Sequence, residues 1–137
     1  VGAGPAGLAA AEVLCGHADV RVFDARPSAA RKFLLAGKSG LNLTHAEPLD
    51  AFLARFGAAR GRLEAALRAL PPTAIRAWAH GLGIETYVGS SRRIFPTMMK
   101  ASPLLRAWLG RLTGAGVTFH FRHRWAGWDG ADALVFD

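Results

Sequence analysis

A single cysteine, Cys15, stands in a chain of 137 residues. That scarcity excludes an internal disulfide, a CxxC redox pair and a cysteine-rich metal site. A reducing compartment is the default for such a chain. Long apolar runs are missing as well. No stretch approaches the ~20 residues of a membrane span. The apolar start lacks a basic leader and is broken by glycine and proline, so no secretory signal is expected. The expectation is a cytoplasmic protein with no membrane partner. Acid is scarce: 10 Asp and Glu stand against 17 Lys and Arg, a formal net charge of +7. Such an excess can serve a nucleic acid. Here 14 of the cations are arginines, scattered along the chain, and among them only Arg92 and Arg93 are adjacent. There is no dense basic run and no aromatic-interleaved signature. Nucleic acid is therefore not the expected partner, and an anionic cofactor would use part of the charge.

Recognisable hydrolytic arrangements are also lacking. There is no Ser-His-Asp set and no paired-carboxylate site. His45, His80, His120 and His123 have no metal-ligand spacing, so no metal is expected. His120 and His123 lie an odd number of residues apart in a strand-like run, which would turn them to opposite faces. Met98 and Met99 read as packing, and Cys15 as a small core residue.

What is present is glycine, 16 residues of it, and a clear alternation of helical and strand patterns. Residues 5–16 (PAGLAAAEVLCG) read as a helix, with Pro5 in its first turn and Gly16 at its stop. Residues 20–24 (VRVFD) read as a strand ending on an acid. Residues 26–47 read as loop, with a short helix over 29–35. Three helical segments follow, beginning at Pro48, Arg60 and Ala74. Leu63, Leu67 and Leu70 share one face of the second, and Ile75, Trp78, Ala79 and Leu82 form a stripe on the third. This gives an expected helical, packed insertion over 48–83. Short strands are expected at 84–88 and 93–95. A strong helix is expected over 102–115, capped by Ser102 with Pro103 next and with Leu104, Leu105, Trp108, Leu109 and Leu112 as its buried stripe. Strand-like segments then flank an Asp129-Gly130 hairpin turn.

Gly2, Gly4 and Gly7 form G-x-G-x-x-G between Val1 and the first helix. The first glycine permits a tight turn, the second leaves room for a pyrophosphate, and the third lets helix and strand pack closely. Pro5, Ala6 and Gly7 open a helix whose unpaired N–H groups and positive dipole end favour phosphate. Asp24 ends the following strand at the spacing expected of an acid that accepts from adenosine ribose hydroxyls. A carboxylate there disfavours a 2′-phosphate, hence NADP at this site. The long Gly/Ser/Asn segment after Ala25 is what a flavin needs over its ribityl chain and ring, which favours FAD over NAD. The expected fold class is α/β: a Rossmann-type FAD-binding domain of the glutathione-reductase type, truncated, with the helical insertion inside it. The chain opens beside the glycine motif and closes in the strand-like LVFD. The expectation is a partial domain, 1–137, of a longer parent that carries the substrate domain and the rest of the FAD site.

Three segments carry a family resemblance: GAGPAGLAAAEVL, VFDARPSAARKFLLAGKSGLNLTH, and RRIFPTMMKASPLLRAWLGRLTGAGVTFHFRHRWAGW. In this order they resemble the YhiN-like (BaiN-like) family of NAD(P)/FAD-dependent oxidoreductases. The family's second segment resembles G-R-K-L-L-I-S-G-G-G-R-C-N-x-T-N. Here it reads A-R-K-F-L-L-A-G-K-S-G-L-N-L-T-H. Arg31, Lys32, Gly37, Asn42 and Thr44 match; Lys38 and Ser39 replace glycines, and Gly40-Leu41 replaces Arg-Cys, the mark of a divergent subgroup. The resemblance implies that Arg31 to Thr44 runs along FAD. Gly37 and Gly40 would let the backbone approach the flavin, Asn42 would hydrogen-bond it, and Arg31 or Lys32 would face the pyrophosphate. It also implies a backbone contact to adenine near the strand pair 117–128, for which Trp125 is the chosen position. Arg92, Arg93 and Lys100 are candidates for an anionic substrate or NAD(P)H. The implied activity is that of a flavin-dependent oxidoreductase on a small organic substrate, with NAD(P)H a candidate electron donor and no catalytic residue identified. A second reading is a non-catalytic flavin- or nucleotide-binding protein with a sensing or RNA-association role. Oligomeric state is not legible.

Overall fold

The computed structural model describes residues 1–37, 40–130 and 132–137. It divides into two compact units, Val1–Leu35 with Leu105–Asp137, and Ala36–Leu104.

The first unit is built on a parallel pair. Strand β1 (Arg21–Asp24) runs beside β5 (Thr118–Phe121), with Val22 opposite Phe119 and Asp24 opposite Phe121. On the other side of β1 the Gly2 N–H donates to the Phe23 carbonyl at 2.7 Å. Parallel neighbours need a crossover, and helices supply it here. Helix α1 (Pro5–Leu14) leads into β1 and helix α6 (Ala101–Gly114) leads into β5. Leu8 and Ala11 of α1 are buried, as are Leu105, Trp108 and Leu112 of α6. The α6 positions fall on the helical stripe expected from sequence, but α6 begins at Ala101, so Ser102 lies inside the helix and is not its cap. Glu12 joins the two helices: Trp108 Nε1–H and Arg111 Nη1–H each donate to its carboxylate at 2.7 Å. An antiparallel hairpin, β6 (Trp125–Asp129) with β7 (Ala133–Phe136), completes the unit.

One expectation about this unit is corrected. His120 and His123 do not face apart: their ring centroids lie 5.9 Å from each other, and both rings pack on Phe23. The odd-spacing rule holds only while a strand continues. Strand β5 ends at Phe121, and Arg122 takes a left-handed φ of 63°, which returns His123 to the face of His120.

The second unit carries its own antiparallel sheet in the order β2 (Thr44–His45), β4 (Arg93–Pro96), β3 (Thr86–Val88). Helices α3 (Leu49–Ala54), α4 (Arg60–Ala69) and α5 (Pro72–Gly81) lie within it, as does the start of α6, after a short helix α2 (Arg31–Ala36) at the boundary in sequence. The unit is thus wider than the helical stretch 48–83, because β2, β3 and β4 belong to it. Leu53, Ala79 and Ile94 are buried there. Thr86 is also buried, and its hydroxyl accepts from Arg76 Nε–H at 2.9 Å and pairs with His80 Nε2 at 2.8 Å. Helix α4 departs from the packed helix that its leucines lead one to expect. It buries no residue, and Leu63 remains 39% exposed. Arg60, Arg62, Glu64 and Arg68 put four charges on this short helix, and Glu64 accepts from both Arg60 and Arg68. Near the start of α3, the covered Glu47 carboxylate receives a two-pronged contact from Arg55. That contact, above all its hydrogen bond, holds the Glu47 carboxyl below the usual carboxylate range.

Candidate functional site

The glycine turn lies at the end of β1 where Asp24 stands, and each of its three glycines meets a different surrounding. Gly2 has φ +98°, a conformation that penalises any side chain. A Cβ on Gly7 would sit 1.9 Å from the Gly2 carbonyl oxygen, so the first turn of α1 closes directly on the backbone before it. Gly4 is different. Its φ of −79° and ψ of 175° suit any residue. A Cβ built there would meet nothing within 4 Å. Neither backbone nor packing asks for glycine at Gly4, and the space beside it is open.

That space is the N-terminal end of α1. Gly4 is the N-cap, Pro5 is in the first turn, no side chain caps the helix and no acid occupies its first turn. The first N–H groups of a helix have no intrahelical partner. Those of Ala6 and Gly7 are left in this position, with the favourable end of the helix dipole behind them.

Asp24 is held by both oxygens. Oδ2 accepts from the Ala3 N–H and Oδ1 from the Arg26 N–H, each at 2.7 Å. A carboxylate has about four acceptor positions, so each oxygen can still accept from a ribose hydroxyl. Ala3 is tied on its other side too, since its carbonyl accepts from the Ala30 N–H at 2.8 Å. Ala30 makes this bond from a left-handed φ of 52° and is buried.

An open cleft of about 450 Å³ runs along these groups, lined by Gly4, Pro5, Asp24, Arg26, Ser28, Ala30, Arg31, Lys32 and Leu35. One carboxylate and three cations line it. The set fits a dinucleotide diphosphate: open backbone at a helix N-terminus, unpaired N–H groups, excess positive charge and an acid with acceptor capacity to spare.

Of the residues singled out from sequence, Gly4, Pro5, Asp24, Arg31 and Lys32 line this one cleft. Gly2, Ala6 and Gly7 build the turn beside it, and Ala25, exposed, follows Asp24. Trp125 belongs to the same unit but stands in the β6–β7 hairpin, 45% exposed, with its indole N–H donated to the Gly127 carbonyl at 2.7 Å. Gly37, Gly40 and Asn42 belong to the second unit. Gly37 is packed: a Cβ on it would lie 2.4 Å from the Ala101 Cβ. Gly40 has φ +129° and faces the Met99 side chain, and Asn42 is exposed. Lys38 and Ser39, which replace two glycines of the family pattern, lie outside the described residues. The cleft residues not singled out were Arg26, Ser28, Ala30 and Leu35. Proximity to Asp24 was available as a signal for Arg26. No propensity marks an alanine for a left-handed backbone, so nothing local pointed to Ala30. Among the described residues no group of three or more His, Cys, Asp or Glu is placed to hold a metal, and no helix is long and apolar enough to cross a membrane.

The family comparison agrees with this geometry. The pattern described as the HI0933-like protein Rossmann domain matches residues 1–136, and the chain belongs to that family. No curated protein matches the chain.

Proposed function

We propose that this HI0933-like family member binds FAD in the cleft at the glycine turn, as the FAD-binding part of a flavin-dependent oxidoreductase acting on a small organic substrate. Membership brings a nucleotide-binding Rossmann domain of a flavoprotein family. Gly4 is the observation that carries the reading further. Its missing Cβ serves neither the backbone nor the packing and leaves room beside free helix N–H groups. In this reading Gly4, Ala6 and Gly7 offer backbone N–H groups to the diphosphate, and Arg31 and Lys32 balance its charge. Asp24 accepts from the adenosine ribose. The backbone at Trp125 serves the adenine. When bound, FAD supplies the two-electron redox chemistry, which is the cofactor's own. NAD(P)H is the proposed donor, with Arg92, Arg93 and Lys100 as its candidate contacts.

The test is the visible spectrum of the purified protein, followed by heat release of the chromophore. The expected outcome is a flavin spectrum, release of FAD rather than FMN, and bleaching under anaerobic NAD(P)H. A protein that is colourless and stays so after FAD is added overturns the reading. A flavin that NAD(P)H fails to bleach removes the donor alone.

A further inference from the structure

The cations of the cleft stand on a segment that is itself anchored to the glycine turn, and a single residue makes the anchor. Asp24 holds the Ala3 N–H, and the Ala30 N–H holds the Ala3 carbonyl at 2.8 Å. Ala3 has no exposed surface and Ala30 is 5% exposed, so neither bond is readily exchanged for water. Breaking a buried backbone bond leaves both partners unsatisfied. Ala30 pays a conformational penalty to make its bond, with φ +52°. It is followed directly by Arg31 and Lys32, the first residues of α2, and all three line the cleft with Gly4 and Asp24.

We infer that Ala30 is a positioning residue, which sets the two cations Arg31 and Lys32 against the glycine turn through its bond to Ala3 and so gives the cleft its preference for a diphosphate. This rests on the dinucleotide reading and deepens it. Ala30 needs no contact with the ligand. Its effect is on where the positive charge stands, so it acts on phosphate recognition and leaves nucleoside recognition alone.

That split is what separates a positioning role from a general structural one. Affinities for ADP and for adenosine are measured on the full chain by calorimetry and chemical-shift titration. Wild type is expected to prefer ADP. Ala30→Gly keeps the N–H and removes the Cβ penalty, so its ADP affinity stays within about twofold. Ala30→Val puts a β-branched residue at a left-handed position, which such residues avoid more strongly than alanine does, and loses about tenfold in ADP affinity while adenosine affinity stays within about twofold. Equal losses for both ligands, or no loss, overturn the inference.

Two measurements stand apart from whether Ala30→Val folds. In the Arg31→Gln/Lys32→Gln double variant the preference for ADP over adenosine must shrink; an unchanged preference overturns the inference. The Ala30 amide of the ligand-free wild type must exchange slowly with solvent, and fast exchange likewise overturns it. A wild-type chain that binds neither ADP nor FAD instead overturns the dinucleotide reading, and this inference falls with it.

Discussion

Two glycine-bearing segments of this chain were read from sequence as cofactor contacts, and the structure gives their glycines different reasons to exist. In the second unit, Gly37 is accounted for by the protein itself, because the Ala101 Cβ occupies the space its own Cβ would need. Gly40 is accounted for by its φ of +129°. In the first unit, Gly2 is likewise explained by backbone and Gly7 by packing, but Gly4 is explained by neither. The lesson is that a glycine points to a ligand when it lines a cleft and neither backbone nor packing asks for it, as at Gly4. A motif cannot make that distinction, since all of its glycines look alike as letters.

The strongest test of the contrast is Gly7→Ala. The added Cβ meets backbone, not a flexible side chain, at 1.9 Å. Overpacking against a rigid neighbour costs about 3 kcal/mol or more here, and denaturant unfolding should show that loss with the ligand absent. A stable Gly7→Ala protein would mean that α1 does not close on Gly2 as described. Next comes Gly37→Ala, whose Cβ meets the Ala101 Cβ at 2.4 Å. The expected loss is about 2 kcal/mol of stability. If this variant were instead fully stable and only weakened FAD binding, Gly37 would move to the ligand side of the comparison.

Gly4→Ala should behave in the opposite sense. Its backbone suits alanine and nothing crowds the site. Stability is expected to change by less than about 0.5 kcal/mol, whereas FAD affinity falls about tenfold, near 1.4 kcal/mol. Unfolding and FAD titration on the same samples check both halves. The smallest effect concerns the second unit alone. Glu47 has a carboxyl held below its ordinary value of 4.5 by Arg55. A depressed carboxylate contributes stability above its unfolded value, and that contribution is lost as pH falls through the lower folded value. Stability measured from neutral pH down through pH 4.5 should therefore decline less steeply in Glu47→Gln than in wild type. Identical slopes would show that the Arg55 contact does not couple to folding.

Much of the fold was legible because its signals are local. Pro5 and Gly16 bracket α1, the alternation of VRVFD marks β1, and the Leu104–Leu112 stripe marks α6. The hairpin follows from Asp129-Gly130. The family rests on the order of such segments. Local pattern failed where the outcome depended on what lay across the chain. The leucines of α4 form a stripe, yet burial needs an opposing surface, and α4 buries none of them. Periodicity puts His120 and His123 on opposite faces only in an unbroken strand, and the φ of Arg122 breaks it.

The sequence by itself determined the α/β class, the glycine turn, and Asp24 as its acid, because each is a matter of spacing along a few residues. Tertiary structure alone decided that Ala30, distant in sequence from Ala3, closes on its carbonyl, that Ser28 and Leu35 join the same cleft, and that Gly37 is used up by packing. These depend on which atoms from separate stretches occupy neighbouring space. That follows from the whole set of packed and hydrogen-bonded partners, and no window of sequence contains it.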